Sequence, residues 1–397
     1  MSLMNDRKHV QPIFIVGFPR SGTTLLTGML AAHSSIAVGP ETQFFVKLSP
    51  KQLTEAVNDP NWPEKASRHI KSITLTGEPV VKLYGLDDEA LDFHLSNQKP
   101  SVHAMLEALT VTHARAKNKP RWAEKTPNHL LWLNTIRSLY PVAPIIRIVR
   151  DPRDSAMSLT KLPWASKSVL VNCYEWREWY FKSRDFFQTD SNSMTVIYEE
   201  LIKNPLEILQ KICNFIGENF EESMLNFQDS AREIMTEKES WKSDVTKSID
   251  ANRLNLWRRN MDLELAQAAG LICYEAIEEF KYESPVHPKK SVPVFPLNKD
   301  LIKEREKNII SAANHQILFY PTEKIRPHTL IIAFPEWGNT LVQRTKRLLL
   351  FLWKVLANRM SHRSIHLSND IKLDGKIDTI AHFFLKILAK KGELKYL

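Results

Sequence analysis

Short apolar runs recur along the chain, and each is followed by a turn and a helical pattern. Residues 13–16 form a β-branched and aromatic run, and residues 23–32 are rich in Leu, Met and Ala. Similar apolar runs at 144–149 and 194–197 also lead into helical segments. Because strands that alternate with helices are typical of doubly covered parallel sheets, the pattern predicts an α/β fold with a mostly parallel central sheet.

The remaining stretches divide by composition. Residues 49–140 have a long, mainly helical pattern, and a Pro/Lys-rich linker follows much later at 285–300. We therefore predict a main domain over residues 10–284 and a basic, mainly helical extension over residues 301–397.

The extension carries most of the excess positive charge. Residues 340–397 contain twelve Lys or Arg against four acidic residues, and the segments 344–356 and 382–391 have the pattern of amphipathic or broadly apolar helices. Packing of these helices on the main domain is one interpretation. Contact with a membrane surface, self-association and acceptor recognition are the alternatives.

Composition excludes several classes of protein. With 43% hydrophobic and 25% charged residues, the 397-residue chain is that of a folded globular protein rather than a fibrous or disordered one. The formal charge of +9 favours an anionic partner such as a nucleotide, an acidic polymer or a lipid surface. Its three cysteines are far apart, and the first residues lack the apolar stretch of a secretory signal, so we predict a cytoplasmic protein without a cysteine metal site.

The segment after the first strand has the spacing of a Walker A phosphate loop, with Gly17 and Gly22 separated by four residues. In such a loop, backbone N–H groups and the following helix converge on an anion, which predicts a P-loop NTPase-like fold. The candidate anion-binding residues are Arg20, Ser21, Gly22, Thr23 and Thr24.

This loop lacks the lysine that reaches the β- and γ-phosphates of a nucleoside triphosphate, because Thr23 stands in its place and Arg20 comes earlier. A kinase with bound Mg²⁺ is therefore a poor fit, and we predict no metal. A non-catalytic nucleotide- or polyanion-binding module is a further alternative.

The phosphate loop and the segment Val149-Arg150-Asp151-Pro152-Arg153-Asp154 together resemble the two donor-binding segments of sulfotransferases that use 3′-phosphoadenosine 5′-phosphosulfate (PAPS). The resemblance is strongest to the tyrosylprotein and bacterial branch, and it extends over residues 12–282. It implies PAPS as donor, adenosine 3′,5′-bisphosphate (PAP) as product, and a 3′-phosphate held by Arg150 and Ser158. A planar guanidinium and a nearby hydroxyl suit a phosphate.

The same resemblance assigns further residues. Tyr198, in Tyr-Glu-Glu-Leu, would lie near the nucleotide, although a buried core tyrosine is the alternative. The segments 246–248 and 252–259 resemble the region that closes over the donor, without individual roles.

Glu41 falls at the position of the family's catalytic glutamate, which implies a general base; the alternatives are a cap on a helix that begins near Thr42 or an ion pair with an arginine. Histidines would be the rival bases, and they rank below Glu41 because isolated histidines commonly lie at the surface or in the packing. The rival histidines are His103, His113 and His129.

Lys125, in Glu-Lys-Thr-Pro, resembles a family lysine that stabilises charge as the S–O bond breaks. Gln43 departs from the pattern, since the tyrosylprotein branch carries an arginine there. The acceptor is therefore expected to be a hydroxylated small molecule, lipid or carbohydrate rather than a peptidyl tyrosine, and no nucleic-acid partner is expected.

Overall fold

The computed structural model describes residues 11–236, 238–239, 246, 249–283, 330–332, 365–367 and 394–396. Those up to Glu283 belong to one compact unit, and the last three short segments belong to another. The first unit contains all the predicted site residues.

The described residues of the first unit form seven strands and sixteen α-helices. The strands are β1 Ile13–Gly17, β2 Ile36–Val38, β3 Thr74–Leu75, β4 Glu78–Pro79, β5 Arg121–Lys125, β6 Ile145–Val149 and β7 Ser193–Ile197. The helices are α1 Thr23–Ala31, α2 Phe44–Lys47, α3 Pro50–Val57, α4 Glu64–Lys71, α5 Val80–Leu83, α6 Asp88–Ser96, α7 Val102–Ala116, α8 Leu133–Leu139, α9 Pro152–Leu159, α10 Val169–Thr189, α11 Tyr198–Lys203, α12 Pro205–Ile216, α13 Gln228–Glu233, α14 Trp257–Asn260, α15 Leu263–Ile272 and α16 Tyr274–Glu279. Short 3₁₀ turns lie at Pro127–Leu131, Glu222–Leu225 and Ala251–Arg253.

Five of the strands form a parallel sheet in the order β2-β5-β1-β6-β7. Alternate residues of β1 face opposite sides: Phe14 and Val16 belong to one buried apolar cluster, Ile13 and Ile15 to the other. Helices cover both faces, with α7 and α10 contributing to the first cluster and α1 and α12 to the second. The predicted α/β fold, with a central parallel sheet flanked by helices as in P-loop proteins, is thus confirmed.

The prediction for residues 49–140 was incomplete. This stretch contains helices α3 to α8, but it also contains the hairpin β3–β4 and the buried strand β5. Charged side chains near the end of β5, at Glu124 and Lys125, concealed the strand, although all five of its residues are buried. Strand β2 was missed as well, since it has only three residues.

The second unit contributes three short parallel strands, β8 Leu330–Ile332, β9 Ile365–Leu367 and β10 Leu394–Tyr396. These nine residues are all that the structure describes of the extension, so its mainly helical character stays a prediction. Three predicted segments lie outside the described residues: the linker at 285–300 and the helices at 344–356 and 382–391. The predicted membrane or self-association contacts of these helices therefore stay predictions. In the described part of the chain, no helix combines the length and apolar character needed to cross a bilayer.

Candidate active site

The predicted site residues lie at the carboxyl ends of the five parallel strands, the edge at which ligands bind in open α/β sheets. Each of the five strands ends beside a predicted site element. The phosphate loop follows Gly17 of β1, Lys125 is the last residue of β5, Arg150 follows β6, Tyr198 follows β7, and Glu41 lies three residues beyond β2. Residues up to 181 positions apart in the chain, such as Gly17 and Tyr198 (198 − 17), therefore meet along one edge.

The phosphate loop, residues 17–24, is held open by two left-handed residues, Arg20 with φ 70° and Gly22 with φ 96°. A Cβ at Gly22 would lie 2.4 Å from Cδ2 of Tyr198, so only glycine suits both the backbone and the space. Helix α1 begins at the next residue, which directs its first N–H groups towards the loop. The Ser21 hydroxyl is buried and has no hydrogen-bond partner among the described residues.

The second predicted phosphate segment contacts this loop directly. Arg20 donates from Nε to Oγ of Ser158 at 3.1 Å, and Arg150 donates to the carbonyl of Arg20 at 3.4 Å. The Arg150 guanidinium lies over the Tyr198 ring, 4.7 Å from its centroid. Its Nε is buried and lacks a partner within the described part of the chain. The five residues Arg20, Gly22, Arg150, Ser158 and Tyr198 thus form one cluster rich in positive charge.

Residues from the predicted donor-closing segment 252–259 contact Arg150 and Asp154. Arg150 donates to the carbonyl of Arg253 at 3.0 Å, and the N–H groups of Leu256 and Trp257 donate to the buried carboxylate of Asp154. The Trp257 ring stacks against the Arg153 guanidinium, with its centroid 3.8 Å from Cζ. Lys247 and Ser248 lie outside the described residues.

Two carboxylates beside Arg150 were not predicted. Asp151 accepts two bonds from the Arg153 guanidinium, at 2.9 and 2.7 Å, and caps helix α9. Glu199 is buried next to it and accepts from the N–H of Asp151 and the hydroxyl of Tyr282. Burial raises the pKa of Glu199 to about 7, even though the Asp151 N–H lowers it.

Glu41 and Lys125 form a buried ion pair, with Nζ donating to Oε1 at 2.8 Å. The other carboxylate oxygen of Glu41 accepts from the side-chain amide of Gln43, also at 2.8 Å. Gln43 has left-handed φ of 52° and precedes helix α2. Of the alternatives for Glu41, the structure has an ion pair, although with a lysine rather than an arginine.

A second buried carboxylate, Glu124, lies next to Lys125 in the chain and was not predicted to have a role. It accepts from the hydroxyls of Thr42 and Thr126, each at 2.7 Å, and from Nδ1 of His129 at 2.8 Å. Burial favours the neutral form, but His129 and the two hydroxyls outweigh it and lower the pKa of Glu124. The sequence signal was a carboxylate in a buried strand, recognisable only once β5 is known.

The other two rival histidines bond to backbone carbonyls. His103 bonds to Leu139, and His113 bonds through Nδ1 to the carbonyl of Tyr84 at 3.1 Å. The Tyr84 hydroxyl in turn donates to the carbonyl of Pro40, next to Glu41. Burial, and then the charges of Glu124 and Glu41, raise the pKa of Tyr84, so its hydroxyl stays protonated. Within the described ranges, no three His, Cys, Asp or Glu side chains gather as metal ligands would.

Known proteins resemble the chain over much of its first unit. A model described as the sulfotransferase family matches residues 12–222. The chain is 28% identical over 256 residues to a Caenorhabditis briggsae protein named "Putative protein-tyrosine sulfotransferase", covering 62% of this chain and 80% of that protein. It is 24% identical to protein-tyrosine sulfotransferase 1 of Danio rerio, covering 67% of this chain and 70% of that protein.

Among solved structures, the sulfotransferase domain of the Synechococcus PCC 7002 olefin synthase aligns with a TM-score of 0.48 at 23% identity, over 70% of this chain and 98% of that domain. The matched region of the family model, residues 12–222, contains every predicted site residue and more than half of the chain. The protein belongs to the sulfotransferase family.

Proposed function

We propose that this sulfotransferase moves a sulfuryl group from PAPS to a hydroxyl acceptor, with Glu41 as general base. The observation that carries the proposal is the Glu41–Lys125 pair, held at 2.8 Å on the same sheet edge as the phosphate loop. A carboxylate that can accept a proton and an ammonium that can stabilise negative charge therefore stand beside an anion-binding loop.

The donor-binding residues suit an adenosine carrying two separate phosphate groups. The Ser21 hydroxyl, which has no partner among the described residues, and the left-handed backbone at Gly22 suit the 5′-phosphosulfate, together with Arg20, Thr23 and Thr24. The Nε of Arg150, which lacks a partner in the part of the chain that the structure describes, and the hydroxyl of Ser158 suit the 3′-phosphate. Tyr198 packs between these two groups of residues, against Gly22 and under Arg150.

In the proposed reaction, the protein positions the partners and manages charge and protons. Glu41 accepts the proton of the acceptor hydroxyl as its oxygen bonds to sulfur. Lys125 stabilises the charge left on the bridging phosphate oxygen when the old S–O bond breaks. The products are the sulfate ester and PAP. Proximity and charge stabilisation suffice, because group transfer of this kind needs little covalent help from the protein.

A P-loop kinase is the rival enzyme, and two observations oppose it. Thr23 occupies the position of the Walker lysine and is buried at the start of α1. Asp151, the aspartate after a strand that would have to hold Mg²⁺, has both oxygens bonded to the Arg153 guanidinium.

For the acceptor, we propose a hydroxylated small molecule, lipid or carbohydrate. Gln43 supports this choice, because its neutral amide is engaged with Glu41 where the tyrosylprotein branch carries an arginine. Peptidyl tyrosine is the second candidate, favoured by the names of the two relatives above. A cytoplasmic location remains our prediction, in keeping with three cysteines that are all buried free thiols.

Transfer of ³⁵S-sulfuryl from labelled PAPS tests the proposal. The acceptor set should include phenols, a hydroxylated lipid, a saccharide and a tyrosine peptide. We expect label on at least one hydroxyl acceptor and none when acceptor is omitted. Label on the tyrosine peptide alone would reverse our choice of acceptor. Absence of transfer to every class, with the folded full-length chain, would contradict the proposed function.

A further inference from the structure

The loop that carries Glu41 is tied to strand β5 by a relay of side chains that meet on one carboxylate. Three consecutive backbone N–H groups, at Gln43, Phe44 and Phe45, each donate to a different side chain. The acceptors are Oγ1 of Thr126 at 3.1 Å, Oγ1 of Thr42 at 3.3 Å and Nε2 of His129 at 3.3 Å. Each of these three side chains then bonds to Glu124.

The direction of every proton in this relay follows from the backbone. An N–H group can only donate, so each of the three side chains uses a lone pair towards the loop and has its own proton left for Glu124. His129 accepts at Nε2 and donates from Nδ1 to Oε2 of Glu124. Glu124 accepts three bonds in all, and these bonds favour its ionised form by lowering its pKa.

The relay also bears on the conformation of Gln43. Its backbone is left-handed, which is unfavourable for a residue with a Cβ and persists only when the surroundings impose it. The Gln43 N–H is held by Thr126, and the side chain is thereby directed to Oε2 of Glu41. The four relay side chains are almost completely buried, which protects these bonds from competition with water.

We propose that Glu124 is a positioning residue, which acts through Thr42, Thr126 and His129 to hold the 41–45 loop so that Glu41 and Gln43 face Lys125. This role rests on the proposed function of Glu41 and Lys125. The Glu-Lys-Thr-Pro segment then has two tasks. Lys125 contacts the reacting groups, and its neighbours Glu124 and Thr126 hold the opposing 41–45 loop. The Glu41–Lys125 distance then depends on residues that touch neither substrate.

A valine at position 126 tests the relay, because it keeps the shape of threonine and removes both of its hydrogen bonds. We expect Thr126→Val to lower kcat roughly tenfold with KM for PAPS within about twofold, since the loss falls on positioning. Thr126→Ser restores the hydroxyl and should recover most of kcat. Thr110→Val is the matched control: its buried hydroxyl bonds to Leu106 within α7, and the relay does not include it.

A readout without turnover separates this inference from the proposed function. The ¹³Cδ chemical shift of Glu41, assigned with Glu41→Gln, reports its pairing with Lys125. It should move in Thr126→Val and in Glu124→Gln, and stay in place in Thr110→Val. If the wild type transfers no sulfuryl group, the proposed function fails while this readout still decides the relay. An unchanged Glu41 shift in Thr126→Val, or a kcat equal to that of Thr110→Val, would overturn the inference.

Discussion

The two halves of the candidate active site differ in how their polar groups are satisfied. In the donor half, made up of the phosphate loop, Arg150 and Tyr198, the hydroxyl of Ser21 and Nε of Arg150 are buried and find no partner in the described residues. In the catalytic half, Glu41, Lys125 and the relay around Glu124, both oxygens of each carboxylate accept hydrogen bonds from named donors.

This difference indicates different tasks. A buried polar group without a partner is unfavourable, so the donor half gains most when an anion supplies the missing acceptors. The catalytic half is already arranged and gains little from reorganisation, which is what proton transfer and charge stabilisation require. Changes in the donor half should therefore act on affinity, and changes in the catalytic half on turnover.

The largest effect should come from Glu41→Gln, which keeps the shape of the side chain but removes the carboxylate that we propose as base. We expect kcat to fall by about 10²- to 10⁴-fold, since this is the usual contribution of a general base. PAP affinity, measured by calorimetry, should stay within a few-fold of the wild type. If Glu41→Gln greatly weakened PAP binding but left kcat unchanged, Glu41 would belong to the donor half instead of the catalytic half.

Glu199, which lies beside Arg150, should make the stability of the protein depend on pH, and Glu199→Gln should remove this dependence. Folding raises the pKa of Glu199 from 4.5 to about 7, so the folded protein binds more protons than the unfolded chain between these values. Its contribution to stability is present at low pH and is lost as pH rises to 7. Relative to Glu199→Gln, the wild type should lose on the order of 3 kcal/mol across this window.

Urea unfolding of wild type and Glu199→Gln at pH 5 and pH 8 measures this difference. If the difference in unfolding free energy between wild type and Glu199→Gln were the same at pH 5 and pH 8, Glu199 would be ionised at both pH values. Thr110→Val alters no titratable group, so its difference in unfolding free energy from the wild type should be the same at both pH values.

Arg150→Ala tests which phosphate of the donor Arg150 binds. Loss of a charge-assisted contact should weaken PAP binding by about 10- to 100-fold. Binding of adenosine 5′-monophosphate, which lacks the 3′-phosphate, should change far less and serves as the internal control. Calorimetry that found equal losses for both nucleotides would assign Arg150 to the loop as a whole instead of the 3′-phosphate.

The smallest effect should come from Gln43→Leu, which removes the amide that donates to Glu41. One neutral hydrogen bond contributes about 1 kcal/mol, so kcat should fall roughly fivefold while KM for PAPS is unchanged. Steady-state kinetics against the same acceptor measures it. A rise in KM for PAPS without loss of kcat would place Gln43 in the donor half.

The donor half could be predicted from the sequence because its signals are local. An apolar strand, a glycine spacing and a helix lie within about twenty residues at positions 13–31, and the structure reproduces that order. The same holds for the strand before Arg150. Local patterns are preserved because the backbone geometry of a strand-loop-helix unit is set by adjacent residues.

The catalytic half could be predicted only in part, because its bonds join distant residues. Lys125 and Glu41 are 84 positions apart, and Thr42 and Glu124 are 82 apart. Two charges at the end of β5 contradict the apolar pattern of a buried strand, and only their partners explain them. His129 was ranked with surface or packing histidines for the same reason, although its ring is fully buried against Glu124.

We propose that the donor half accommodates a nucleotide with a 3′-phosphate rather than a triphosphate. Calorimetric titration of the full-length wild type with PAP, and separately with ATP and Mg²⁺, tests it directly. We predict one PAP bound per chain, at least about tenfold more tightly than ATP, because Arg150 and Ser158 add a second anion contact. ATP·Mg²⁺ binding as tight as PAP, or no binding of PAP, would contradict the account.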